Sequence, residues 1–117
     1  MRDRKGAERK GRRAETLASL WLQLRGWRIV ARRRRMHMIE VDIIARRGKV
    51  LAVVEVKRRA TLEAAICALT PAAVARLQRA AHQLAAEVNQ HGQQVSARVD
   101  LIALAPRRWP RHISGVQ

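Results

Sequence analysis

The stretch Ile39-Glu40-Val41-Asp42-Ile43-Ile44, followed after a short turn by Val53-Val54-Glu55-Val56-Lys57, sets three carboxylates and a lysine into sequence that otherwise reads as buried strand. Val, Ile and Leu on both sides of Asp42 and Glu55 suit a sheet covered on both faces. An unpaired carboxylate there costs several kcal/mol, roughly, unless a cation or a hydrogen-bond donor meets it. With Arg47-Gly48 as a two-residue turn, Glu40 faces Glu55 and Asp42 faces Val53. Strand alternation then projects Glu40, Asp42, Val53, Glu55 and Lys57 from one face and Val41, Ile43, Val54 and Val56 from the other. A one-residue slip would separate Asp42 from Glu55, so convergence of the carboxylates depends on the register.

Two carboxylates and a backbone carbonyl, here that of Val56, are hard oxygen ligands suited to Mg²⁺ or Mn²⁺. A metal held by Asp42, Glu55 and Val56 would lower the pKa of a bound water, and Lys57 stands on the face from which it could orient that water or offset charge on a phosphate. The pattern therefore suggests phosphodiester hydrolysis. The alternative is a salt-bridged strand pair in which Lys57 and nearby arginines neutralise the two acids.

The net charge is +16, from 25 basic and 9 acidic residues in 117. Such an excess points to a polyanionic partner through counterion release, and nucleic acid is the natural one. There is no Phe or Tyr, and the three tryptophans, Trp21, Trp27 and Trp109, are too few to build a base-stacking platform. Recognition of backbone and shape is favoured over reading of single-stranded bases. The length suits one domain, alone or as a small homodimer. The single cysteine, Cys67, excludes an intrachain disulfide and a CxxC zinc site, fits a reducing cytoplasm, and reads as a small buried residue. No apolar run reaches membrane-spanning length, and the N-terminus lacks the apolar segment of a signal peptide, so a cytoplasmic location is expected.

Residues 1–13 read as a basic flexible arm, 14–104 as a single domain and 105–117 as a loosely docked tail. A helix is expected from Ala14, with Leu17, Ala18, Trp21 and Leu24 at helical spacing and Gly26 as its stop. Glu15 lies beside that stripe, with the site and solvent equally open to it. Trp27 to Ala31 reads as the first strand. Alternation should divide the run Arg32-Arg33-Arg34-Arg35 between two faces, one of which could guide phosphates. Arg58 to Leu69 fits a short helix or a loop. Thr70-Pro71 starts a helix to about Gln90 with Val74, Leu77, Ala81, Leu84 and Val88 inward. Ala97 to Ala103 reads as a fourth strand, in which Asp100 is expected to pair with an arginine. The histidines show no ligand spacing. His37, a few residues before Glu40, is close enough in sequence to touch a bound phosphate.

The order Gly11…Ala14-Glu15…Ala18, Leu24-Arg25-Gly26-Trp27-Arg28-Ile29-Val30, Glu40-Val41-Asp42-Ile43-Ile44-Ala45, Val54-Glu55-Val56-Lys57-Arg58-Arg59 and Arg98-Val99-Asp100-Leu101-Ile102 resembles the YraN family, also called UPF0102. That family is similar to the PD-(D/E)xK nucleases, of restriction-endonuclease-like or Holliday-junction-resolvase-like fold. The resemblance implies an α/β fold: a central mixed sheet of about four strands flanked by helices in the order α-β-β-β-α-β. It implies a metal-dependent nuclease site in which Asp42, Glu55 and Lys57 take the D…ExK positions and Glu15 the acidic helix position, with Glu40 as an auxiliary. Arg32, Arg33, Arg35, Arg58 and Arg59 would bind nucleic acid, most naturally branched or structured DNA, and a homodimer would suit two-strand cleavage. Two departures stand out: Ile39 replaces a family glycine, and Ala73 stands where a lysine is frequent. They leave open a weakly active or inactive nucleic-acid-binding module of the same fold. A basic adaptor for RNA or a ribosomal particle is the third reading.

Overall fold

A computed structural model describes residues 4–36 and 38–117, with side chains from residue 11 onward; the expectation for His37 lies outside the described residues. The elements are α1 (Arg4–Leu24), β1 (Arg28–Met36), β2 (Ile39–Arg47), β3 (Val50–Arg58), α2 (Leu62–Cys67), α3 (Pro71–Asn89), β4 (Ser96–Leu104) and β5 (Arg111–Ile113). One mixed sheet has the order β1-β2-β3-β4-β5. Its first three strands form an antiparallel meander, β3 and β4 run parallel, and β5 closes the far edge antiparallel to β4. The parallel pair requires a long crossover, and α2 with α3 supplies it. The α/β class and the expected element order hold, with α2 and β5 added.

Each sheet face carries its own core. Ala14, Ala18 and Leu22 of α1 pack with Trp27 on Ile43, Ala45, Ala52, Val54, Ile102 and Leu104. On the other face Leu77, Ala80, Ala81 and Leu84 of α3 cover Val41, Ile44, Leu51, Val53 and Val99. A fully buried aliphatic chain of this kind contributes roughly 1.5–3 kcal/mol, so two such layers account for the near-continuous apolar strands.

Helix ends follow the local sequence. Gly26 adopts φ +89°, and the Trp27 amide returns to the Leu22 carbonyl at 2.9 Å while that of Gly26 reaches Gln23 at 3.1 Å. This double bond pattern is a glycine-dependent helix stop. Thr70 caps α3, its Oγ1 accepting from the Ala73 amide at 3.2 Å with Pro71 in the first turn. Asn89 then closes the return loop by bonding both backbone groups of Val95.

The stripe expected on the first helix is not the buried one, since Leu17 and Leu24 are exposed while Ala14, Ala18 and Leu22 are buried; four further expectations require correction. The helix begins at Arg4 rather than Ala14, because Arg, Lys, Ala and Glu in that segment are strong helix formers that outweigh Gly6 and Gly11. The C-terminal segment is not a loose tail: β5 pairs with Leu101 to Ala103, and the Val116 amide donates to the Val99 carbonyl at 2.8 Å. Cys67 is exposed, since α2 turns Leu62 and Ala65 inward and a position two residues beyond Ala65 falls on the other side. The β2–β3 turn is Gly48-Lys49, between the paired Arg47 and Val50. Gly48 has φ +61° and Lys49 is not in the left-handed region, which suits a hairpin loop with glycine first rather than second.

Candidate active site

The corrected turn moves the register by two, which preserves which residues share a face. Regular pairing of β2 with β3 ends at Ile43↔Val54, and continuing it one step sets Asp42 opposite Glu55. Beyond that point Asp42 replaces the missing partner strand, its Oδ2 accepting from the Val56 amide at 2.8 Å. Strict alternation fails here, because Val41 shares the α3-side core with Ile44 while Ile43 faces α1. The expected grouping of Val41 with Ile43, and of Asp42 with Val53, is therefore replaced by a twist that turns Asp42 toward α1.

The cause lies partly in β1. Its pairing with β2 shifts between Ile29 and Ala31, and Arg33 adopts φ +53°, a left-handed conformation that costs a non-glycine residue roughly 1–2 kcal/mol. An ion pair from Arg33 Nε to Glu15 Oε1 holds that residue, and Arg32 Nη2 donates to Thr16 Oγ1 at 3.0 Å. Two consecutive arginines thus reach α1, while Arg34 reaches Glu87 on α3 at 3.6 Å. The run divides between faces as expected, but not by simple alternation.

Glu15, Asp42, Glu55, Val56 and Lys57 line one cleft of about 640 Å³, with Arg58 and Arg59 also on its wall. Glu15 is 7% exposed, which settles its direction toward the site. Lys57 Nζ lies 3.3 Å from Glu55 Oε1. Among the described residues no basic side chain forms an ion pair with Asp42. Its carboxyl is pushed up to about 7, first by burial and then by the charge of Glu55; the Val56 amide opposes the shift, while Glu15 and a hydrogen bond with Glu55 add to it. Asp42 and Glu55 thus crowd negative charge that only Lys57, on Glu55, offsets among the described residues.

Among the described residues no three His, Cys, Asp or Glu side chains converge to hold a metal by themselves. The oxygen groups on this wall that could hold a metal are the Asp42 and Glu55 carboxylates and the Val56 carbonyl, a donor set of the kind Mg²⁺ or Mn²⁺ takes rather than zinc.

Glu40 is exposed and does not line the cleft; it lies opposite Arg35 on β1. Arg32, Arg33 and Arg35 are also outside the lining, the first two being engaged with α1. Ile39 packs toward the α3-side core and so does not fill the cleft, while Ala73 lies at the capped start of α3. Gly11, Ala14 and Pro106 also belong to the cleft wall; the first two entered the sequence reading only through the family resemblance, and none was expected at the site. The recurrence of small residues at Gly11 and Ala14, one helical turn apart and next to Glu15, was the available signal.

Asp100 is fully buried and serves a different centre. Arg98 Nε donates to it at 2.9 Å, His112 Nε2 lies at 2.7 Å and the Gly115 amide at 3.1 Å. Burial alone would raise its carboxyl, but bonds from His112, Arg98 and Gly115 hold it below its ordinary value. The arginine partner expected for Asp100 is present, and the histidine was not foreseen.

The model of the uncharacterised protein family UPF0102 matches residues 14–104. A UPF0102 protein of Caulobacter vibrioides is 50% identical over 108 residues, covering 92% of this chain and 85% of the relative. One from Parvibaculum lavamentivorans is 48% identical over 108 residues, covering 92% and 80%, and one from Brucella canis is 47% identical over 104, covering 89% and 82%.

Proposed function

The chain belongs to the uncharacterised protein family UPF0102, and from the chemistry of its acidic cleft we propose that it is a metal-dependent nuclease acting on structured or branched DNA. The observation that carries this reading is the partly buried Asp42 carboxylate, set beside Glu55 in one cleft and lacking a basic side-chain partner among the described residues, with Lys57 on the same wall. The net charge of +16 supports a polyanionic substrate.

Asp42, Glu55 and the Val56 carbonyl would hold Mg²⁺ or Mn²⁺, which supplies Lewis acidity toward a phosphate oxygen and lowers the pKa of a water. The Val56 amide fixes the Asp42 carboxylate in place before any ligand arrives. Lys57 orients the attacking water or offsets the charge that grows on the phosphate oxygens as the new P–O bond forms and the old one breaks. Glu15 adds negative potential beside Asp42, and Arg33 fixes its orientation. Arg58 and Arg59 flank the cleft, where phosphates on either side of the scissile bond would lie.

Labelled linear, flapped and four-way-junction DNA with Mn²⁺ tests the proposal, run beside an Asp42→Asn/Glu55→Gln double variant. Cleavage by the wild type alone is the expected result. Binding without cleavage in both proteins would assign a non-catalytic nucleic-acid-binding module, and stronger binding to structured RNA would assign an RNA-associated adaptor.

Lys57→Ala is expected to lower the cleavage rate by about 10²–10³, the range for removal of one preorganised charge-stabilising donor. Metal affinity, read by titration calorimetry, should not fall, because Lys57 competes with the cation for Glu55. A loss of metal binding in that variant would remove Lys57 from this role.

A further inference from the structure

The opposite end of the sheet carries another cleft whose charged lining residues are all arginines. It occupies about 550 Å³ and is lined by Gly26, Arg28, Arg46, Arg47, Gly48 and Gln93. Arg28 and Arg46 are direct cross-strand partners in the β1–β2 register, and like charges in that relation destabilise a sheet. Among the described residues no carboxylate forms an ion pair with Arg28, Arg46 or Arg47.

Neutral groups hold these guanidinium groups instead. Arg46 Nε donates to the Gly48 carbonyl at 3.0 Å, and its Nη1 donates to Gln93 Oε1. Arg47 Nη1 donates to the Arg25 carbonyl at 3.2 Å, and its guanidinium lies 4.6 Å from the centre of the Trp27 ring. The helix-end carbonyl offsets part of Arg47's charge. The Gly48 and Gln93 oxygens do the same for Arg46, but neither removes its like-charge contact with Arg28. Contacts of this kind fix position before binding and leave the charge available, which is the preorganisation an anion site requires.

We propose that this distal arginine cleft anchors a second segment of duplex phosphate backbone, away from the bond cut at the acidic cleft. The inference rests on the reading of the chain as a nuclease on DNA. Four residues along β2 separate Asp42 from Arg46, about 13 Å at strand rise, which sets the two clefts at opposite ends of the strand. Trp27 is buried beneath Arg47 and Arg98, so the cleft offers guanidinium forks and no aromatic face for a base. That combination selects phosphate over nucleobase. Gly48 at the turn has nothing within 4 Å of where a Cβ would stand, which leaves the approach open to a backbone.

Duplex binding, measured in EDTA by fluorescence anisotropy across a salt series, tests the anchor without requiring cleavage. The comparison is Arg28→Gln/Arg46→Gln against Arg76→Gln/Arg79→Gln, an equal charge loss on the exposed side of α3. The cleft variant should bind about tenfold or more weakly, independently of sequence, with its log–log salt slope reduced by about 1.8 for two lost phosphate contacts. Its thermal midpoint should be unchanged or higher, because a like-charge pair has been relieved. Equal effects from both variants would overturn the anchor and reduce the result to net charge. A lower midpoint accompanying the weaker binding would assign the arginines to structure and would also overturn it. Cleft-specific binding in a wild type that never cleaves would sink the nuclease reading and keep the anchor; absence of duplex binding by the wild type would remove both.

Discussion

Replacing Asp42 by Asn is expected to slow metal-dependent cleavage by about 10³ and, in the absence of metal, to stabilise the fold above neutral pH. The two effects share one cause. The carboxyl titrates at about 7 in the folded chain against 3.8 ordinarily, so its protonated form favours folding. That contribution is fully present below about pH 4 and is lost as pH rises through about 7. At pH 8 the metal-free wild type therefore carries an ionised, partly buried carboxylate beside Glu55. Each tenfold change in proton affinity is worth about 1.36 kcal/mol, so the disadvantage amounts to roughly a few kcal/mol. Asn can keep the acceptor for the Val56 amide and offer its own amide to Glu55, in the place of the shared proton. Magnesium should narrow that gap. At a hundredfold excess over its dissociation constant it adds about 2.7 kcal/mol to the wild type and little to the variant. Losing roughly 4 kcal/mol of transition-state charge stabilisation would slow cleavage by about 10³. Urea unfolding at pH 5 and pH 8, with and without Mg²⁺, reads the stability effects. A variant less stable than the metal-free wild type at pH 8, or one equally stabilised by Mg²⁺, would contradict this account of Asp42.

Asp100→Ala is expected to cost about 3 kcal/mol at neutral pH, because it strands Arg98 and His112 around a site with no remaining acceptor. The carboxyl is fully buried and bonded to both of them and to the Gly115 amide. Its folded pKa lies below the ordinary value, so its contribution is present above the usual carboxylate range and is lost as pH falls through the folded value. The gap between wild type and variant should therefore narrow in strong acid. Hydrogen exchange at the Val116 amide should accelerate, because His112 and Gly115 tie the last strand to β4. A variant that unfolds with the wild type at pH 7 would show that β5 is held by its strand pairing alone.

The two clusters differ in how legible they were. Asp42, Glu55 and Lys57 stood out because charges interrupted apolar strand sequence; the period of two also grouped them, but the structure brings Asp42 to the cleft by a twist that breaks that period. The Asp100 centre was half visible: an arginine two residues away along the strand was an obvious partner, whereas His112 arrives on a strand whose three residues carry no periodic pattern. The distal arginine cleft could not be read from spacing. Arg28 and Arg46 are separated by a hairpin, and their juxtaposition depends on the bulge in β1 that resets the register.

The sequence by itself determined the α/β class, the two long helices with their Gly26 and Thr70 boundaries, the buried strands, and the acidic pair with its lysine. Those features rest on periodicity, capping chemistry and the cost of burying charge, all of which act over a few residues. Tertiary structure alone decided the inward turn of Glu15, the exclusion of Glu40, the twist that breaks alternation at Asp42, and the docking of the C-terminal strand. Each depends on a contact between distant segments: Arg33 with Glu15, Val56 with Asp42, His112 with Asp100. Such pairings bring together residues whose separation in sequence carries no information about their separation in space.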